Sequence, residues 1–150
     1  MIDWGSELEG YDMHEDRVES LSPSASGNYI HAMLENEFGD VPGLSFEQEI
    51  STGRVDLLTN DHLYEFKTKS DYNIEEAPLM DDVEQVRRYL NSPDIEHDEA
   101  ILTYINREDF SDVRQFVFDP QYDTNFVADG GLPDYSEFDL YEVDLEEVRS

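Results

Sequence analysis

The stretch GRVDLLTNDHLYEFKTK, residues 53–69, sets the reading of the whole chain. Two short apolar runs flank a polar pair, Asn60-Asp61, which is the signature of a β-hairpin. With the turn centred on that pair, Leu58 is expected opposite Leu63, Leu57 opposite Tyr64, and Asp56 opposite Glu65. Opposed residues lie roughly 4.5–5.5 Å apart at Cβ on one face. Strand periodicity then brings Lys67 onto the face of Glu65, with Arg54 across from Lys67. The hairpin is therefore expected to display Asp56, Glu65 and Lys67 as one cluster. Two close carboxylates repel unless a cation lies between them, and hard oxygen ligands at this spacing suit Mg2+ or Mn2+. A lysine beside such a cation can hold the attacking water and offset charge developing on a phosphate. Acids are abundant enough here to pair by chance. Lysines are not: Lys67 and Lys69 are the only two, and one falls two residues after a candidate ligand.

Upstream of the hairpin, SPSASGNYIHAMLENEFGD (22–40) reads as a helix, with Ser22 or Ser24 as N-cap and Gly39 as its stop. Ile30, Met33, Leu34 and Phe38 recur at helical spacing and are expected to face the core. His31 and Glu35 stand four apart on a neighbouring face, and spacing alone accounts for His31 equally as a surface or capped core histidine. LSFEQEI (44–50) alternates as a strand does, and its acids Glu47 and Glu49 are not singled out. Downstream, a helix is expected over 80–90, with Asp81 or Asp82 in its acidic first turn and Arg87 and Arg88 at its basic end. Val83, Val86 and Leu90 form its buried stripe. EAILTYI (99–105) reads as a buried central strand and VRQFVF (113–118) as another. Phe138, Leu140 and Tyr141 are expected to form an edge strand, and 144–150 a short helix. This order of elements predicts an α/β sandwich on a central mixed β-sheet flanked by helices. Residues 1–20 read as a loose acidic leader, with Trp4 as its one docking group; 21–118 as the core; and 119–150 as an acidic extension packing on the same domain.

The chain has 150 residues, enough for one domain with a real core, and no apolar run near membrane-spanning length. Its lack of cysteine excludes disulfides, thiolate zinc sites and cysteine-ligated iron–sulfur clusters. A formal charge of −29 is compatible with disorder, with a DNA-mimicking inhibitor, or with life in molar salt. The 12% aromatic and 38% hydrophobic content argues against disorder. Acid excess with two lysines resembles proteins of extreme halophiles that keep salt inside the cell, which is the expectation adopted, with a cytoplasmic location. Five of the nine basic residues (Arg54, Lys67, Lys69, Arg87 and Arg88) lie between positions 54 and 88, so positive charge gathers around the proposed site.

Four motifs in order resemble those of the PD-(D/E)XK nuclease superfamily, in particular its RecB-like, Cas4-like group. They are GNYIHAMLE (27–35), GRVD (53–56), EFK (65–67) and QVRRY (85–89), and the resemblance covers about residues 24–105. It implies a restriction-endonuclease-like αβ sandwich. It implies His31, Asp56, Glu65 and the Phe66 carbonyl as ligands to Mg2+ or Mn2+, and Lys67 as the catalytic lysine. Gln85 and Tyr89 are implied as DNA contacts, by hydrogen bonding and stacking. Arg54, Lys69, Arg87 and Arg88 would meet phosphates. The implied activity is metal-dependent DNA hydrolysis leaving 5′-phosphates, as an exonuclease on single strands or ends, in replication, recombination or repair. The cysteine-free chain departs from the iron–sulfur cluster common in Cas4-like proteins, so no such cluster is expected. Two alternatives stand beside this reading: an inert acidic DNA mimic or inhibitor on a nuclease scaffold, and a structure-selective endonuclease of the resolvase or restriction type.

Overall fold

A computed structural model describes residues 1–9, 23–70, 73–120 and 140–149. In chain order the elements are α1 (Trp4–Glu7), α2 (Pro23–Phe38), β1 (Ser45–Ile50), β2 (Gly53–Leu58), β3 (Leu63–Lys69), a 3-10 turn (Asn73–Glu76), α3 (Met80–Leu90), β4 (Ala100–Asn106), β5 (Asp109–Phe118), β6 (Leu140–Glu142) and α4 (Leu145–Arg149). The strands form one mixed sheet in the order β1-β2-β3-β4-β5-β6. All neighbours are antiparallel except β3 and β4, which run parallel because α3 carries the chain back between them. Every residue of β4 is buried, as its near-continuous apolar run requires of a central strand.

Helices cover both faces of the sheet, so this is the expected α/β sandwich. On one face Ile30 and Leu34 of α2 pack with Trp4, Leu57, Tyr64, Phe66, Ile101 and Val117. On the other, Val83, Val86 and Tyr89 of α3 pack with Val55, Leu63, Leu102, Tyr104 and Phe116. The helical stripe over 80–90 and the edge strand and short helix near the C-terminus form where expected, although Phe138 lies outside the described residues, as do the side chains of Ser22 and Ser24. β5 is longer than its apolar part, starting at Asp109 rather than 113. Among the described residues no helix is long and apolar enough to cross a membrane.

The N-terminus differs from a loose leader over residues 1–9, while 10–20 lie outside the described residues. Trp4 is 1% exposed and meets Phe38, Tyr64 and Phe66 edge-on with ring centroids 5.1–6.2 Å apart. The buried Gln115 side chain clamps this segment, accepting from the Trp4 amide at 2.9 Å and donating to the Ile2 carbonyl at 2.9 Å. The Ile2 amide donates to the Tyr64 hydroxyl at 2.9 Å. Polar sequence around Trp4 conceals this because one large ring, not a period, supplies the burial.

Candidate metal centre

The hairpin turn closes as read, with the Thr59 amide donating to the His62 carbonyl at 2.9 Å. Leu58 pairs with Leu63 and Leu57 with Tyr64, as expected. Beyond those two rungs the strands part, and the expected pairings of Asp56 with Glu65 and of Arg54 with Lys67 are absent from the ladder. Arg54 instead opposes Glu49 of β1, and its Nε lies 3.2 Å from a Glu47 carboxylate oxygen.

Parting strands leave backbone groups that must find other partners. Side chains of the predicted site supply them. The Asp56 carboxylate accepts from the Phe66 amide at 2.8 Å, and the Glu65 carboxylate accepts from the Asp56 amide at 3.3 Å. His31 Nε2, reaching in from α2, donates to the Phe66 carbonyl at 3.1 Å and stands 3.5 Å from the Asp56 carboxylate. Four residues named from the sequence thus converge on one gap in the sheet.

Glu47 joins them. The β1–β2 ladder runs regularly on both sides of Glu47 and Asp56 but has no rung at that position. Glu47 has φ +53°, a conformation uncommon outside glycine, and both strands change face there. Phe46 and Leu57 pack with the α2 core, whereas Ile50 and Val55 pack with the α3 core. In an even strand residues of the same parity share a face, so each strand twists over at this point. One ligand atom each from His31, Glu47 and Asp56 lies within 4.8 Å of the others. No sequence signal separated Glu47 from Glu49; only the positive φ does so.

An open pocket of about 520 Å3 exposes this group, lined also by Glu35, Arg54, Glu65, Gln85 and Tyr89. Burial and then repulsion from Asp56 push the Glu65 carboxyl well above the ordinary carboxylate range, against the pull of Lys67. The same two causes, in the same order, raise Glu47. The donor set fits a divalent cation: one imidazole, two nearby carboxylates, and a carbonyl already facing the imidazole nitrogen.

Lys67 does not line the pocket directly. Its ammonium donates to Gln85 Oε1 at 2.7 Å and lies 3.4 Å from Glu65 and 3.8 Å from Asp82. Gln85 in turn donates to the Tyr89 hydroxyl at 3.1 Å. Tyr89 is 5% exposed, and its ring packs in the core under α3 as well as lining the pocket, which leaves little of the stacking face expected of it. Gly53 stands behind that ring, where a Cβ would come within 3.0 Å of Tyr89 Cε1. Arg87 and Arg88 line a separate pocket of about 400 Å3 with Thr52. Arg87 bonds Glu84 at 2.5 Å and lies over the Phe118 ring. Lys69 ends β3 opposite Asn106, away from the residues lining the metal-site pocket. Of the four expected phosphate contacts, Arg54 alone borders the candidate centre.

The chain is thus an α/β sandwich with a metal-capable pocket where two strands separate. No family model and no curated protein matches it. It is similar to a solved structure described as the crystal structure of SSO0001, at 21% identity and a TM-score of 0.51, over 81% of this chain and 64% of the other. The chain therefore spans less than two thirds of that protein, and the likeness extends to the fold alone.

Proposed function

We propose that this protein is a metal-dependent deoxyribonuclease that hydrolyses phosphodiester bonds to leave 5′-phosphates, working on single strands or ends as an exonuclease. The observation that carries the reading is the convergence of His31, Glu47 and Asp56 within 4.8 Å, with the Phe66 carbonyl and the Glu65–Lys67 pair against them. Structural stability alone gives no reason to crowd the buried carboxylates of Asp56 and Glu65 beside the half-buried Glu47, because such crowding disfavours their charged forms. His31, Asp56, Glu47 and the Phe66 carbonyl would hold Mn2+ or Mg2+, with Mn2+ better suited to the imidazole. When bound, the cation supplies Lewis-acid charge for activating water and neutralising charge at phosphorus. Glu65, which lines the pocket, lies 3.4 Å from the Lys67 ammonium, and the lysine would donate from there to a phosphate oxygen or orient water. Arg54, with 63% of its side chain exposed, borders the pocket and would meet the neighbouring phosphate. Gln85 fixes the lysine rather than waiting free for substrate.

End-labelled single- and double-stranded DNA incubated at molar KCl with Mn2+, Mg2+ or EDTA tests this. Wild type should give metal-dependent products that EDTA abolishes, with single-nucleotide release rather than internal cuts. Lys67→Ala should lose cleavage by at least about a hundredfold while still binding metal. A folded wild type that cuts nothing under any metal would turn the reading toward an acidic binding protein.

A further inference from the structure

Lys67 and Tyr104 are ladder partners on the parallel strands β3 and β4, and both sit on the face covered by α3. The first turn of α3 lowers Asp82 between them. One Asp82 carboxylate oxygen accepts from the Tyr104 hydroxyl at 2.7 Å, and the other lies 3.8 Å from the Lys67 ammonium. Tyr104 is itself fully buried, and its hydroxyl accepts from the Leu79 amide at 3.1 Å, just ahead of the helix. Arg114 holds the preceding segment by donating to the carbonyls of Ile74, Glu75 and Ala77 at 3.0–3.2 Å. The Asp82 carboxylate is therefore held by the Tyr104 hydroxyl, itself anchored by the Leu79 amide.

An ammonium has three protons and a flexible four-carbon stem, so a fixed position needs acceptors from several directions. Gln85 and Glu65 supply two. We propose that Asp82, braced by Tyr104, is a positioning residue whose carboxylate charge, 3.8 Å from the ammonium, aims Lys67 at the candidate centre and leaves its third proton for substrate or water. This rests on the reading of Lys67 as the working lysine. A competing explanation is that Asp82 merely suits a helix N-terminus. Asp81 occupies the same turn, is exposed, and serves as the control.

Only two lysines occur in the chain, so lysine labelled with 13C and 15N gives two side-chain signals, assigned by the loss of one in Lys67→Ala. The Lys67 ammonium protons should exchange with water more slowly than those of Lys69. Asp82→Asn should speed that exchange several-fold, Tyr104→Phe should do so to a smaller degree, and Asp81→Asn should leave it unchanged. In cleavage assays with Mn2+, Asp82→Asn should lower kcat on the order of tenfold to hundredfold with KM little changed. In a Lys67→Ala background the same substitution should add nothing, because the two act as a unit. Unchanged Lys67 exchange in both Asp82→Asn and Tyr104→Phe overturns the proposal. So does an equal response to Asp81→Asn, or a loss confined to KM. Tyr104→Phe keeps both helix acids and remains informative if Asp82→Asn fails to fold. A wild type with a slow Lys67 signal that cuts no DNA sinks the nuclease reading while leaving the positioning of Lys67 supported.

Discussion

Glu47 holds a left-handed backbone conformation, at φ +53°, that costs a non-glycine residue roughly 1–2 kcal/mol. It also adds a carboxylate beside Asp56, whose charge helps raise Glu47's own pKa. Both penalties favour glycine in the metal-free protein and are partly offset there by the ion pair with Arg54; on the proposed function the carboxylate is kept as a metal ligand. Glu47→Gly should therefore raise metal-free stability by up to about 1 kcal/mol while weakening the response to metal. Wild type at a hundredfold excess of Mn2+ over its Kd should gain about 2.7 kcal/mol, and the variant clearly less. Thermal unfolding with and without Mn2+ reads both effects, and an unchanged metal gain in Glu47→Gly would remove Glu47 from the donor set. At the same scale Gly53 shows a tighter constraint. Its φ of +147° suits glycine, and a Cβ would press on the ring of Tyr89, which bonds Gln85 and so Lys67. Gly53→Ala should cost about 1–3 kcal/mol in denaturant unfolding and reduce cleavage as the Gln85–Lys67 contact shifts.

The elements divide between what period reveals and what it hides. β4 could be read from its near-continuous apolar run, α3 from its stripe and end charges, and the hairpin turn from Asn60-Asp61. His31, Asp56, Glu65 and the Phe66 carbonyl were legible through their motifs, and the structure brings them together. The register beyond Leu57 was not legible. Ladder counting assumes that backbone bonds to backbone, whereas here Asp56 and Glu65 side chains take over the rungs. Asp82 was readable only as a helix-end acid, because its contact with Lys67 depends on how α3 lies across β3 and β4. Trp4 lay outside any periodic pattern, yet α1 belongs to the core. Trp4→Ala should cost about 3–5 kcal/mol, lowering Tm by roughly 2–4 °C for each kcal/mol. A melt within about 2 °C of wild type would mean that the N-terminal segment is dispensable.

For the molecule as a whole, the charge of −29 sets the conditions under which the rest holds. Self-repulsion acts over about 10 Å at 0.1 M salt and about 3 Å at 1 M, so screening should favour the compact state. Unfolding midpoints should rise steadily between 0.1 and 2 M KCl; a flat or falling series would detach the acid excess from salt adaptation. DNA would face the same repulsion, so on the proposed function Arg54, the one arginine or lysine lining the pocket, carries more of the phosphate contact.

The open rungs between β2 and β3 also turn the site into its own reporter. The amide protons of Asp56 and Phe66 are shielded from solvent by carboxylates rather than by a neighbouring strand. Their hydrogen–deuterium exchange rates therefore follow the state of those carboxylates, not the unfolding of the sheet. On the proposed function, two peptide protons watched in the intact protein should register metal at the centre without any substrate being present.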